Sequence, residues 1–214
     1  MPDCFQSLNP SPERADSLCA HPVLYADARP SIRDGDFALY RPGADDLIDQ
    51  VIASGGSYSH AGMLFWDMMA GRKRLFLAET LQWRGGRTGL FSGQLKGWPG
   101  QWDIWRPPQP YNTEAAVDEM LTIEGRNYGW LALARVAVQH TRFLKRWFPP
   151  LSDAEVRRRR LPPFCSGAVA EAAGAGGFDP SDKPDSITEP NDLVIKATYI
   201  CTPTGKTCRI GGSA

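Results

Sequence analysis

Neither sign of charge is in excess in this 214-residue chain, where 24 Lys plus Arg stand against 24 Asp plus Glu. That balance excludes a global field drawing the protein to nucleic acid, and it leaves association between copies unopposed by repulsion. Also missing is any apolar run near the ~20 residues that a membrane-crossing helix requires. Residues 1–17, MPDCFQSLNPSPERADS, have neither the basic start nor the apolar core of a secretory signal. The expected location is therefore cytoplasmic, or packaged or released without a signal. Histidine is scarce, with only His21, His60 and His140. The five cysteines, Cys4, Cys19, Cys165, Cys201 and Cys208, are odd in number, so at least one thiol is unpaired. Cys201 and Cys208, in CTPTGKTC, do not have zinc-ribbon spacing, and two free thiols are the reading for an intracellular chain. There is no internal repeat and no low-complexity segment.

A chain of this length, 42% hydrophobic, can bury one sizeable core. Residues 1–33 are rich in Pro, Ser and Asp without periodicity and read as an irregular N-terminal arm. Residues 34–202 form the domain, and 203–214 a flexible Gly/Ser tail. GDFALYRPG places a short strand at about 36–41 between two turns, and ADDLIDQVIASGG reads as a short capped helix. YSHAGMLFWD and RLFLAETL, joined by a Gly-containing loop, suggest a hairpin, and QWDIWRP a further strand ended by proline. The pattern then turns helical. NTEAAVDEMLTIEG is a helix capped by Asn112 or Thr113, and GWLALARVAVQHTRFLKRWF is one apolar on nearly every side in its first half, hence expected to be buried. FCSGAVAEAAGAGG is a third helix, and LVIKATYIC a closing strand. Strands, then helices, then a last strand argue for an α+β fold with an antiparallel sheet packed against helices. The basic run Arg157 to Arg160 is read as a solvated helix end without chemistry.

Three residues invite chemistry. Cys165 stands at the start of an alanine-rich helix, where unpaired N–H groups and the positive dipole end favour a thiolate. From its local context alone it is equally a buried thiol acting as a small hydrophobe. His60, preceded by Ser57 and Ser59, is the one histidine in a strand-like segment; His140 reads as a solvated side chain and His21 as a loop residue. Glu79, flanked by Phe76, Leu77, Ala78 and Leu81, must either face outward or be paired. On two arms of one hairpin, His60 and Glu79 lie within reach of cross-strand contact, at about 5 Å when directly opposite. Trp66, Trp83, Trp98, Trp102 and Trp105 crowd the strand half, as core or as the wall of an apolar cleft.

In the order GDFALYR, YSHAGM, FLAETL, NYGW and FCSGAVAEA, residues 34–202 resemble the circularly permuted branch of the NlpC-type papain-like amidases, the YiiX-like group. In that branch the strand histidine and a polar residue precede the helix-borne cysteine. The resemblance implies a permuted papain-like fold, a sheet or partial barrel packed against helices. It implies Cys165 as nucleophile, His60 as base and then acid, and Glu79 as the residue orienting the ring. The weaker implied roles are Tyr128, with Ser59, lining the cleft or assisting the oxyanion, the Cys165 N–H contributing to the oxyanion hole, and Asp36 as a structural residue. Ala61 and Gly167 depart from the family pattern without touching the triad. The implied activity is hydrolysis of an amide in a peptide or peptidoglycan-like substrate, without metal or cofactor. Alternatives are a lipid-acyl thioesterase or acyltransferase on the same triad, and a binding component of a virus particle or secretion machine with little or no activity. A zinc site of Cys165, His60 and Glu79 would lack a fourth ligand.

Overall fold

The computed structural model describes residues 22–42, 56–97, 101–139, 141, 143, 146–147 and 149–204. The helix expected from ADDLIDQVIASGG, together with His140, Trp98, Cys4, Cys19 and Cys208, lies outside the described residues. In chain order the elements are β1 (Val23–Leu24), α1 (Tyr25–Ala28), a 3-10 turn at Arg29–Ser31, β2 (Phe37–Tyr40), β3 (His60–Met69), β4 (Arg72–Leu81) and β5 (Gly85–Leu90). After them come α2 (Phe91–Gly97), β6 (Trp102–Arg106), α3 (Thr113–Leu121), α4 (Trp130–Gln139), α5 (Asp153–Arg159) and α6 (Cys165–Ala175). Two more 3-10 turns, Asp185–Ile187 and Pro190–Val194, lead to β7 (Thr198–Cys201) and β8 (Pro203–Thr204).

Six strands form one antiparallel sheet in the order β5-β4-β3-β2-β6-β7. The fold is α+β, as the order of elements suggests. The β3–β4 hairpin closes through Ala70 and Gly71, both at positive φ (50° and 72°), with Met69 paired to Arg72. Such a two-residue turn matches the right-handed twist of its strands and fixes their register.

Because side chains alternate across a strand, the pleat divides the core in two. Phe37, Leu39, Ala61, Met63, Phe65, Ala78 and Trp105 face α3 and α6, and Ala38, Leu64, Leu77, Trp102 and Ile104 face Phe91 and Leu95 of α2. Helix α6 meets the sheet through Ala168, Val169, Ala172 and Ala173, all buried, and these small side chains bring its backbone close to the strands. Asn112 caps α3 by accepting from the Ala115 N–H at 3.1 Å. Asp36 is structural: its buried carboxylate takes two hydrogen bonds from Arg106, each 2.7 Å, and one from the Arg33 N–H, which ties the entrance of β2 to the end of β6.

Four expectations need correction. The end of the arm is not irregular, since residues 22–33 contain β1, α1 and a 3-10 turn. The tail is ordered at its start, because β8 pairs in parallel with β1, Val23 opposite Pro203. The closing strand is shorter than LVIKATYIC, because Pro190 and a reciprocal Glu189–Asp192 cap turn its first half into a 3-10 helix. Helix α4 is not buried: Val136 is its one buried residue, and Trp130 and Leu131 are exposed. It rests on one side only, where Ala132, Leu133 and Val136 pack with Tyr128, Phe164, Cys165 and Ile187.

Candidate active site

The site forms at the end of the sheet where β3 begins, β4 ends and α6 starts. Glu79 stands opposite Gly62 in the β3–β4 register, one pleat along from His60. Gly62 offers no side chain between them, and a Cβ there would lie 2.7 Å from the Ala78 carbonyl and 3.2 Å from the Glu79 Cβ. The His60 ring therefore reaches diagonally to the carboxylate, with Nε2 2.7 Å from Glu79 Oε2. Its other nitrogen is left for Cys165, whose thiol hydrogen-bonds the ring. The ring is held edge-on to Trp102, centroids 6.0 Å apart.

Glu79 is almost wholly buried, and its second oxygen is fully used. Oε1 accepts from Arg87 Nε at 3.0 Å, from Arg87 Nη2 at 2.6 Å and from Gln94 Nε2 at 3.2 Å. Arg87 is the direct cross-strand partner of Glu79 on β5, and Gln94 comes from α2. A buried carboxylate is costly unless such groups replace water. Burial pushes the Glu79 pKa up, but His60 and Arg87 outweigh it and hold the group below its usual range.

The same competition sets the charge of the other two groups. Burial alone would lower the His60 pKa, yet the bonds to Cys165 and Glu79 carry it up to about 10. Burial would raise Cys165, and the hydrogen bond and charge of His60, with N–H donation from Ala61 and Ser166, bring it down instead. Both shifts run in the direction that favours a thiolate–imidazolium pair, oriented by a carboxylate. Cys201, half-buried and beside Ser31 rather than an imidazole, has its thiol pushed up to about 11, by burial above all.

Helix α6 delivers Cys165 as its first residue, after Phe164 in extended backbone, φ −89° and ψ 179°. Phenylalanine has no side-chain oxygen to cap a helix, so the first-turn N–H groups gain no side-chain acceptor from it. The Ser166 hydroxyl donates to the Thr188 carbonyl at 2.7 Å and pins the helix start from behind. Gly167 packs beneath it; a Cβ there would stand 2.9 Å from the Asp185 carbonyl.

A cleft of about 250 Å³ opens over the three residues. Tyr128 and Ser59, the weaker sequence candidates, both line it, as do Trp102, Thr80, Arg84 and Arg87. Residues 22–33 are not part of its wall. Among the described residues, three buried polar atoms of the lining side chains have no hydrogen-bond partner: Ser59 Oγ, Thr80 Oγ1 and Trp102 Nε1. Of the tryptophans singled out in the sequence, Trp105 is core, Trp66 is a platform for Arg29 and Lys73, and Trp83 is exposed at the rim of this cleft. No group of three or more His, Cys, Asp or Glu among the described residues is placed to hold a metal ion.

No family model and no curated protein matches the chain. Sequence reasoning brought together Cys165, His60 and Glu79, and it missed Arg87 and Gln94. GGRTGL carries no apolar alternation, so β5 was not legible as a strand, and without its register Arg87 had no reason to be opposite Glu79.

Tyr128 reaches the cleft because Gly129 lets its segment lie against the chain leading into α6. The Gly129 N–H donates to the Pro163 carbonyl at 3.1 Å, and a Cβ at 129 would stand 2.4 Å from the Pro162 carbonyl oxygen and 2.7 Å from the Phe164 nitrogen. All of these are backbone atoms with no rotamer to yield. Gly129→Ala is expected to cost about 1–3 kcal/mol in chemical denaturation, as overpacking of a close contact does. Slower alkylation of Cys165 at neutral pH should accompany that loss, since the strain falls on the residues that seat the thiol.

Proposed function

We propose that the protein is a cysteine hydrolase that cleaves amide bonds through an acyl-enzyme, on a circularly permuted papain-like arrangement of the NlpC type. The observation that carries this reading is the relay in which Glu79 holds His60 and His60 holds Cys165, at a helix N-terminus facing an open cleft. In this reaction the Cys165 thiolate attacks the amide carbonyl carbon, and a C–S bond forms as the carbonyl becomes an oxyanion. The Cys165 N–H, at the positive end of α6, faces the developing charge. The His60 imidazolium gives its proton to the leaving nitrogen as the C–N bond breaks, and the amine departs. Water then attacks the thioester, His60 takes its proton, and the acid leaves with the thiolate restored.

An amide rather than a hydrocarbon acyl chain is favoured by the polar side chains along the cleft wall, among them Gln82, Arg84 and Tyr128. A peptide-like backbone offers both donors and acceptors to such groups, which a hydrocarbon chain would desolvate without replacing their hydrogen bonds. A peptide or peptidoglycan-like substrate has that character.

Labelling with iodoacetamide at pH 6, followed by peptide mapping, tests the reading. Cys165 should be modified at least about tenfold faster than Cys4, Cys19, Cys201 and Cys208, because only an activated thiol is ionised at that pH. The preference should vanish in His60→Ala. Equal rates at all five cysteines in the wild type would remove the basis of the proposal and favour a binding role.

A further inference from the structure

The aromatic residues that the relay does not use gather at one side of the cleft. Trp83 is 85% exposed, and its ring touches that of Trp130, also exposed, with centroids 4.6 Å apart. Trp83 stands between Gln82 and Arg84, and Trp130 follows Tyr128 by two residues; Gln82, Arg84 and Tyr128 all line the cleft. The pair is thus the rim of the mouth. Trp83 is held at φ 67°, a left-handed conformation that bulky residues avoid. A strained turn that projects an indole into water is retained against the preferences of its own backbone.

From Trp130 the same character continues along the chain. Helix α4 is apolar on most sides yet buries only Val136, which leaves its outer face, with Leu131, uncovered. Phe143 and Trp147 are exposed beyond it. Over residues 125–152 the sequence contains Arg126, Arg135, Arg142, Lys145 and Arg146 and no Asp or Glu. Since the whole chain is neutral, the remainder is correspondingly acidic, and the charge separation orients the molecule in a field. Ten residues of helix span only about 15 Å, half the thickness of a bilayer core, so α4 can lie on a membrane and cannot cross one.

We infer that this face docks the mouth of the cleft on an anionic lipid surface. Tryptophan rings settle at the headgroup level, where one edge is apolar and the other wet. Arginines beside them reach lipid phosphates while their stems cover apolar surface. A second copy of the chain is disfavoured as the occupant, because two such faces would bring like charges together. The docking does not depend on Cys165 being the nucleophile.

Sedimentation of the full chain with vesicles tests this inference, using phosphatidylcholine alone and phosphatidylcholine mixed with phosphatidylglycerol. Binding is expected on the anionic vesicles, little on the neutral ones, and progressive release as salt rises. The double variant Trp83→Ser/Trp130→Ser should lose at least about tenfold in partition, since each buried indole contributes on that scale. Arg135→Glu/Arg146→Glu should lose at least about tenfold by reversing charge near the surface. Circular dichroism and melting temperature establish that each variant is folded, and Leu131→Gln replaces any that is not. Equal capture by neutral and anionic vesicles, no capture, or capture of the variants equal to wild type overturns the inference. A concentration-dependent dimer in sedimentation equilibrium, lost in the tryptophan variant without vesicle binding, would reassign the face to a second copy.

Discussion

Amide turnover is expected to fall at least about a thousandfold in Cys165→Ala and by a similar factor in His60→Ala, as residues that act as one unit do. The two variants should fail in different ways. In Cys165→Ala no thioester can form, so mass spectrometry of the intact protein mixed with substrate should show no acyl adduct. In His60→Ala the nucleophile persists, but the interactions that held its thiol down are gone and burial pushes it up. Alkylation of Cys165 should then rise only as pH passes the ordinary thiol range, whereas in the wild type it is already established at neutral pH. The wild-type turnover profile has a falling limb as well. His60 must be protonated to release the amine, and its pKa lies near 10, so activity should hold through neutral pH and decline as pH rises through about 10. A decline centred near 6.5 would mean that the imidazolium is not held by the thiolate and Glu79.

Glu79→Gln is expected to lower turnover by about 10²- to 10⁴-fold while leaving the cleft in place. The direction follows from the donors around the carboxylate. Oε1 receives two N–H groups from Arg87 and one from Gln94, all of which require an oxygen. The glutamine oxygen therefore takes that side, and its NH2 faces His60 Nε2. The ring must then accept at Nε2 and carry its proton on the nitrogen facing Cys165, where it cannot serve as base toward the thiol. Arg87→Met, which leaves the ring tautomer unchanged, should instead act on stability. It strands a buried carboxylate with His60 and Gln94 alone, at a cost of about 2–4 kcal/mol, discounted from a fully buried pair because Arg87 is partly exposed. Urea unfolding of the two variants beside turnover separates the roles: a loss of turnover in Arg87→Met as deep as in Glu79→Gln would contradict the division.

The same pair of residues marks where sequence reasoning stops. Glu79 was legible because a carboxylate between Phe76, Leu77, Ala78 and Leu81 demands a partner, and the hairpin supplied His60 as one. Arg87 was not, because its strand is built largely of glycine and its pairing is a matter of register. Helix α4 failed for a related reason. An apolar pattern reports that a face is to be covered but not by what, and within this chain one side of α4 is covered and the other is left to solvent.

By itself the sequence determined the α+β class, the β3–β4 hairpin, the capped α3 and the cysteine at the head of α6, since each follows from local patterning, caps and turn residues. Tertiary structure alone decided that Glu79 is neutralised on both oxygens, that Gly129 seats Tyr128 against the entrance to α6, and that Trp83 meets Trp130 at the rim. Those contacts join segments far apart in the chain, and no local preference encodes which distant residue will stand opposite. What makes the Cys165 thiol acidic is likewise nonlocal: burial works against ionisation, and a ring delivered by the sheet reverses it.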